Sequence, residues 1–392
     1  MTKRRLLTAL AGALLLGAPP AVAAPAGGSA APLFVSVAAG THHTCGLTST
    51  RDVLCWGENN HGQLGNGSQV SQVSPVPVRN LHGVLLLAAG GAHTCAQTAE
   101  ATWCWGQNDH GQLGNGETTD AAAPVRVSGS AAFTALALGV GHSCGLTAVG
   151  GVRCWGNNTD GQLGTGNQLD AHAPTPVVNL AGVSAITAGA QHTCALGAGG
   201  AVYCWGYGHQ GQLGNGKLDA TAYPTKVNGL SGVVSRLAAG AFHTCAATAT
   251  GVSCWGLNRT YQLGHGTTVG NVGLSPVSVL GLKGPVTALT GGSYHTCAVN
   301  AQGAAYCWGN NEVGQLGTGT NTNAPTAVAV KGLSGPVGAI SAGMFHTCAL
   351  DGDHRAACWG KGRMGELGNG SGRDSYTPVT VGEAPSTAAD RP

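Results

Sequence analysis

Short apolar runs ending in small residues recur along the chain at Val37–Gly40, Leu87–Gly90, Leu136–Gly139, Ile186–Gly189, Leu237–Gly240, Leu289–Gly292 and Ile340–Gly343. Each is too short for a helix, and each is followed by the same succession of signals. A hairpin comes first, as in His192–Leu196 and Ala201–Trp205, joined through a turn rich in Gly and Ala. A loop of the form Asn-Asn-x-x-Gly-Gln-Leu-Gly-x-Gly follows, too compact to hold a helix. A polar Thr/Asn/Asp stretch then leads into a Pro-x-x-Val segment, such as Pro174–Val177 or Pro378–Val381. This order predicts four short strands per unit, and a period of roughly 50 residues built from such strands predicts an all-β repeat architecture of the propeller kind. A linear stack would need capped ends, and no distinct cap is visible; closure into a ring removes the ends. The seven units predict a seven-bladed β-propeller over residues 34–381, with a lead-in at 24–33 and a short tail at 382–392.

The cysteines sharpen this reading. All fourteen fall in the hairpins, with a second cysteine nine or ten positions after the first. Residues so spaced on the two arms of a hairpin face one another at a separation a disulfide accepts. The expected bridges are Cys45–Cys55, Cys95–Cys104, Cys144–Cys154, Cys194–Cys204, Cys245–Cys254, Cys297–Cys307 and Cys348–Cys358. Such local bridges stiffen blades without joining them.

A histidine stands two positions before each first cysteine, at His43, His93, His142, His192, His243, His295 and His346. In a strand that spacing puts both side chains on one face, which raises zinc as a competing reading. Structural zinc takes four ligands, and no fourth donor recurs at a fixed place. The histidines are therefore expected to be structural: partly buried, each donating to a backbone carbonyl within or between blades. Seven equivalent histidines do not describe one active site. The tryptophans after the second cysteines, Trp56, Trp105, Trp155, Trp205, Trp255, Trp308 and Trp359, are expected to pack between blades. Trp103 lies off the repeat pattern and is the one aromatic singled out for binding.

Composition and charge change the functional picture. Lys3, Arg4 and Arg5, the apolar Leu6–Gly17 and the small residues Ala21–Ala23 have the three parts of a secretory signal peptide, residues 1–23, cleaved near Ala23. The apolar run falls short of the ~20 residues a membrane span needs. Without those three basic residues, 15 Lys+Arg face 16 Asp+Glu, and no basic run remains. A nucleic-acid partner is not expected from such a surface. An exported chain with paired cysteines again favours disulfides.

The run Gly-x-x-His-Thr-Cys-Ala-Leu followed by Cys-Trp-Gly-x-Asn-x-x-Gly-Gln-Leu-Gly-x-Gly resembles the repeats of the regulator of chromosome condensation (RCC1) family. The resemblance covers Phe34 to Val381 and implies a seven-bladed β-propeller. Gly208, Gly362, Tyr261 and Glu366 depart from the template. The family's eponymous activity is nucleotide exchange on a small nuclear GTPase, with chromatin binding; no residues for exchange carry over to this chain. The leader directs the expectation toward a secreted bacterial type of the family.

The functional expectation is a secreted binding or scaffold module, a monomer engaging a protein or surface polymer, without cofactor, metal or catalytic residues. Its recognition loops are expected at Gln69–Ser74, Glu117–Ala122, Thr267–Leu274 and Gly319–Asn323. A secreted inhibitor of an extracellular or periplasmic enzyme is one alternative. A hydrolase or lyase acting on a surface polymer through loop carboxylates (Glu58, Asp109, Asp160, Glu312, Glu366) is the other. The chain has no His-Glu-x-x-His helix or phosphate-binding glycine loop.

Overall fold

The computed structural model describes residues 31–129, 132–268 and 271–382. The expected signal peptide, lead-in residues 24–30 and tail residues 383–392 lie outside the described residues.

Seven four-stranded antiparallel sheets are the blades of a β-propeller. In the first blade β1 (Phe34–Ala39) is innermost, β2 (His43–Thr48) and β3 (Val53–Gly57) form the disulfide-bearing hairpin, and β4 (Gln72–Pro77) is the outer edge. The same succession fills residues 84–126, 133–176, 185–226, 236–278, 286–329 and 337–380. The central hairpins keep one register throughout, with His opposite Gly, Thr or Ser opposite Trp, and Cys opposite Cys.

The outer strand differs from its expected span. In the third blade it covers Ala171–Pro176 rather than Pro174–Val177. It pairs on one side only, with a bulge between the partners of Cys154 and Gly156. A proline lacks the N–H a ladder needs, and an edge strand tolerates that loss. Pro75, Pro124, Pro174, Pro224, Pro276 and Pro378 all stand in outer strands.

Every blade is built from consecutive strands, so the ring closes without a strand shared between its ends. Closure instead uses Phe34, whose N–H donates to the His354 carbonyl at 2.7 Å, and a bridge between Leu33 and Arg355. The Phe34 ring then sits beside Trp56, centroids 5.7 Å apart. The inner strands surround an axial channel of about 320 Å³ lined by small residues. At its wall Gly40 has no room for a side chain. A Cβ there would lie 2.3 Å from the His43 ring and 2.6 Å from the Gly90 carbonyl of the next blade. Among the described residues, no helix is long and apolar enough to cross a membrane.

Candidate functional site: the blade seams and the loop face

The repeated motifs converge on the seams between blades. Each tryptophan lies in a core cluster with the preceding blade: Trp105 packs with Cys45, Cys55 and Leu64, and Trp205 with Cys144, Cys154 and Leu163. Its indole N–H donates to a main-chain carbonyl in the preceding blade's loop, Trp105 to Gln63 at 2.9 Å and Trp205 to Gln162 at 3.0 Å. The hydroxyl beside each first cysteine donates to that same carbonyl, Thr94 to Gln63 at 3.0 Å and Thr193 to Gln162 at 2.9 Å. Two donors occupy the carbonyl's two lone pairs.

The histidines complete the seam from the other side. His43 Nε2 lies 2.9 Å from Thr94 Oγ1 of the next blade. The same bond joins His93 to Ser143, His142 to Thr193, His192 to Thr244, His243 to Thr296 and His295 to Thr347. His346 closes the circle on Thr44. The hydroxyl proton is committed to the loop carbonyl, so the hydroxyl can only accept from the ring, and Nε2 must carry the hydrogen. These histidines are fully buried and reach a side chain. That corrects the expectation of partly buried rings donating to backbone carbonyls. A backbone partner is unnecessary because the next blade's hydroxyl stands ready to accept. Burial holds His43, His93, His192, His295 and His346 at a pKa of about 3 and His142 and His243 at about 4. The rings are neutral structural pins.

The cysteines are all in disulfides within blades, with Cα atoms 4.0–4.1 Å apart. No free thiolate is left for the zinc reading. Trp103 is half-buried against the first blade's core. Much of its ring is therefore used in packing.

One seam differs. Where the other loops have glutamine, the last has Glu366, fully buried at the junction of the seventh and first blades. Its carbonyl takes Trp56 and Thr44 in the usual way. Its Oε2 accepts from the Met364 N–H at 2.8 Å. Its Oε1 has no hydrogen-bond partner and stands 3.7 Å from both Lys361 Nζ and His42 Nδ1. Burial raises the carboxyl's pKa, and Lys361 opposes the shift.

Blades differ at the face where the turn after the inner strand meets the Gly-Gln-Leu-Gly loops. The residue before each buried histidine accepts a bond from the residue after Trp-Gly, pairing His42 with Glu58, Gly141 with Asn157 and Phe242 with Leu257. On this face Tyr207, Phe242, Tyr294 and Phe345 are partly exposed. Sequence reasoning missed these aromatics; the available signal was a ring where the second and third blades have Ala92 and Gly141. The loops expected to recognise a partner lie further out. Gln69–Ser74 and Glu117–Ala122 run into the outer strands, and Thr267–Leu274 is described only in part.

Residues 128–390, more than half of the chain, match the family model of the RCC1-like domain. Residues 34–63, and 52–97 with 101–146, match two models of the RCC1 repeat. The human probable E3 ubiquitin-protein ligase HERC6 is 46% identical over 66 residues, which cover 16% of this chain and only 6% of that protein. The crystal structure of human WBSCR16 superposes with a TM-score of 0.75 at 26% identity, covering 84% of this chain and 93% of the other. Yeast RCC1 (Prp20), solved bound to Kap60, gives 0.75 at 22% identity over 90% and 84%. Relatives from human, rat, mouse, Arabidopsis and yeast are eukaryotic, which corrects the expectation of a bacterial subtype. A leader speaks to export and carries no information about lineage.

Proposed function

The chain belongs to the RCC1-like domain family, and from that premise we propose that it is an exported, disulfide-stapled propeller that binds a protein or cell-surface partner without catalysing a reaction. The carrying observation is a division of labour among residues. The repeated His, Thr, Trp and Cys side chains are consumed by blade-to-blade bonds and disulfides. Residues that differ between blades, among them Tyr207, Phe242, Tyr294 and Phe345, stand partly exposed on one ring face. A rigid ring with a variable face suits recognition, and local disulfides suit an oxidising compartment.

Two measurements test the reading. N-terminal sequencing of exported protein should begin after Ala23; a mature chain that keeps Met1 would overturn export. Immobilised oxidised protein should retain a partner from surface and secreted fractions, and a Phe242→Ala/Phe345→Ala double variant should lose it. Equal retention by both proteins, or turnover of the bound molecule, would overturn recognition by this face.

A further inference from the structure

The loop face is not evenly endowed around the ring. In the first three blades the paired positions at the channel mouth are His42 with Glu58, Ala92 with Gln107 and Gly141 with Asn157. In the last four they are Gln191 with Tyr207, Phe242 with Leu257, Tyr294 with Asn310 and Phe345 with Lys361. The same backbone bond forms at every one of these pairs whether or not a ring is present, so the fold does not demand rings here. The rings meet in two groups. Tyr207 is edge-on to Phe242, centroids 6.1 Å apart at 65°, and to His209 at 5.0 Å and 77°. Tyr294 stacks on Phe345 at 6.0 Å and 23°. Together they make an aromatic crescent over the fourth to seventh blades.

The loops of the first three blades carry charge of a single sign. Loops 58–71, 107–120 and 157–170 hold Glu58, Asp109, Glu117, Asp120, Asp160 and Asp170, with no Lys or Arg. The corresponding loops of the last four blades mix Lys217, Arg259, Lys361, Arg363 and Arg373 with Asp219, Glu312, Glu366 and Asp374. Asp160 stands where the two halves meet. Gln191, whose carbonyl accepts the Tyr207 N–H, donates its side-chain amide to Asp160 Oδ2 at 3.1 Å. A carboxylate beside partly exposed aromatic faces is the environment that attracts an Arg or Lys side chain, through ion pairing and the ring quadrupoles together.

We propose that this face seats a basic, extended segment of a partner protein. Its Arg or Lys side chains lie over the crescent at Tyr207 and Phe242 and against Asp160, and the rest of the segment crosses the acidic loops. The proposal rests on the recognition reading above and adds the partner's chemistry.

The test uses the oxidised full chain and a labelled peptide of about twelve residues with arginine at alternate positions and apolar spacers, beside an acidic peptide of equal length. Anisotropy should show saturable binding of the basic peptide alone, weakened by salt. Asp160→Asn and Phe242→Ala should each weaken it about tenfold. Asp52→Asn, in the β2–β3 turn at the opposite end of the hairpin, should leave it unchanged. Unaltered thermal midpoints and intact disulfides exclude misfolding as the cause of any loss. Absence of binding, equal affinity in all variants, equal binding of the acidic peptide, or a dimer that blocks this face would overturn the proposal. If the basic peptide fails while the native partner is still lost by Phe242→Ala/Phe345→Ala, only the partner's chemistry is wrong. If that partner is also indifferent to the face, both readings fall.

Discussion

Acid should open this ring, and the buried histidines set the pH at which it does so. Their pKa values fall from an ordinary 6.5 to about 3 or 4 because burial penalises the imidazolium. The unfolded chain therefore takes up protons as pH drops below about 6.5, while the native ring stays neutral. Each histidine contributes its full stability above that pH and loses it progressively down to its native pKa. The loss is about 1.4 kcal/mol per histidine per pH unit, and as many as seven sites act together. Near pH 5 the slope then approaches about 10 kcal/mol per pH unit, comparable with the whole stability of an ordinary domain. His42, lowered chiefly by burial and further by Lys361, acts in the same direction. Glu366 and Asp160, both raised chiefly by burial, act oppositely, but they are two groups against eight. Asp52 and Asp351 have lowered pKa values and are partly exposed, so their small effect falls below about pH 4.

Calorimetric unfolding of the oxidised chain between about pH 7.5 and 5 measures the slope, and runs in two buffers of different ionisation enthalpy count the protons. Unfolding near pH 5 should take up close to seven protons from this set. His192→Gln should lower the midpoint at neutral pH, since it removes the bond to Thr244, yet reduce the pH slope by about one seventh. A flat stability profile over that range, or uptake of fewer than about two protons, would refute the assignment of these rings as neutral pins.

Glu366→Gln should stabilise the ring by about 1 kcal/mol at neutral pH, because it gives the closing seam the neutral side chain used by the others, and the gain should shrink as acid protonates Glu366. Tyr261→Gly should raise the thermal midpoint by relieving about 1 kcal/mol of strain, since Tyr261 has φ 66° where its counterparts Gly62 and Gly111 stand at 80° and 78°; a fall would show that its side chain matters more. Intact mass should increase by about 14 Da on full reduction, and Cys194→Ala with Cys204→Ala should cost about 2–4 kcal/mol in denaturant unfolding while the ring stays closed.

What was legible in the sequence follows from what repeats. The hairpins were readable because cysteines nine or ten apart pin the register, and Cys194 does face Cys204. The outer strands were displaced by a few residues because an edge strand with one neighbour, a bulge and a proline leaves little trace of its limits. The histidine bonds were hidden for a different reason. His43 and Thr44 are adjacent in the chain, yet His43 bonds Thr94 one blade ahead while Thr44 serves His346 one blade behind. A strand pattern reports which face a side chain takes, not how far one blade is staggered against the next. The aromatic crescent was harder still, because a repeat search averages away the positions where units disagree. Ala92, Gly141, Phe242 and Tyr294 occupy equivalent places and satisfy the same backbone bond. Their differences are free of the seam's demands, so side chains can vary there without disturbing the ring.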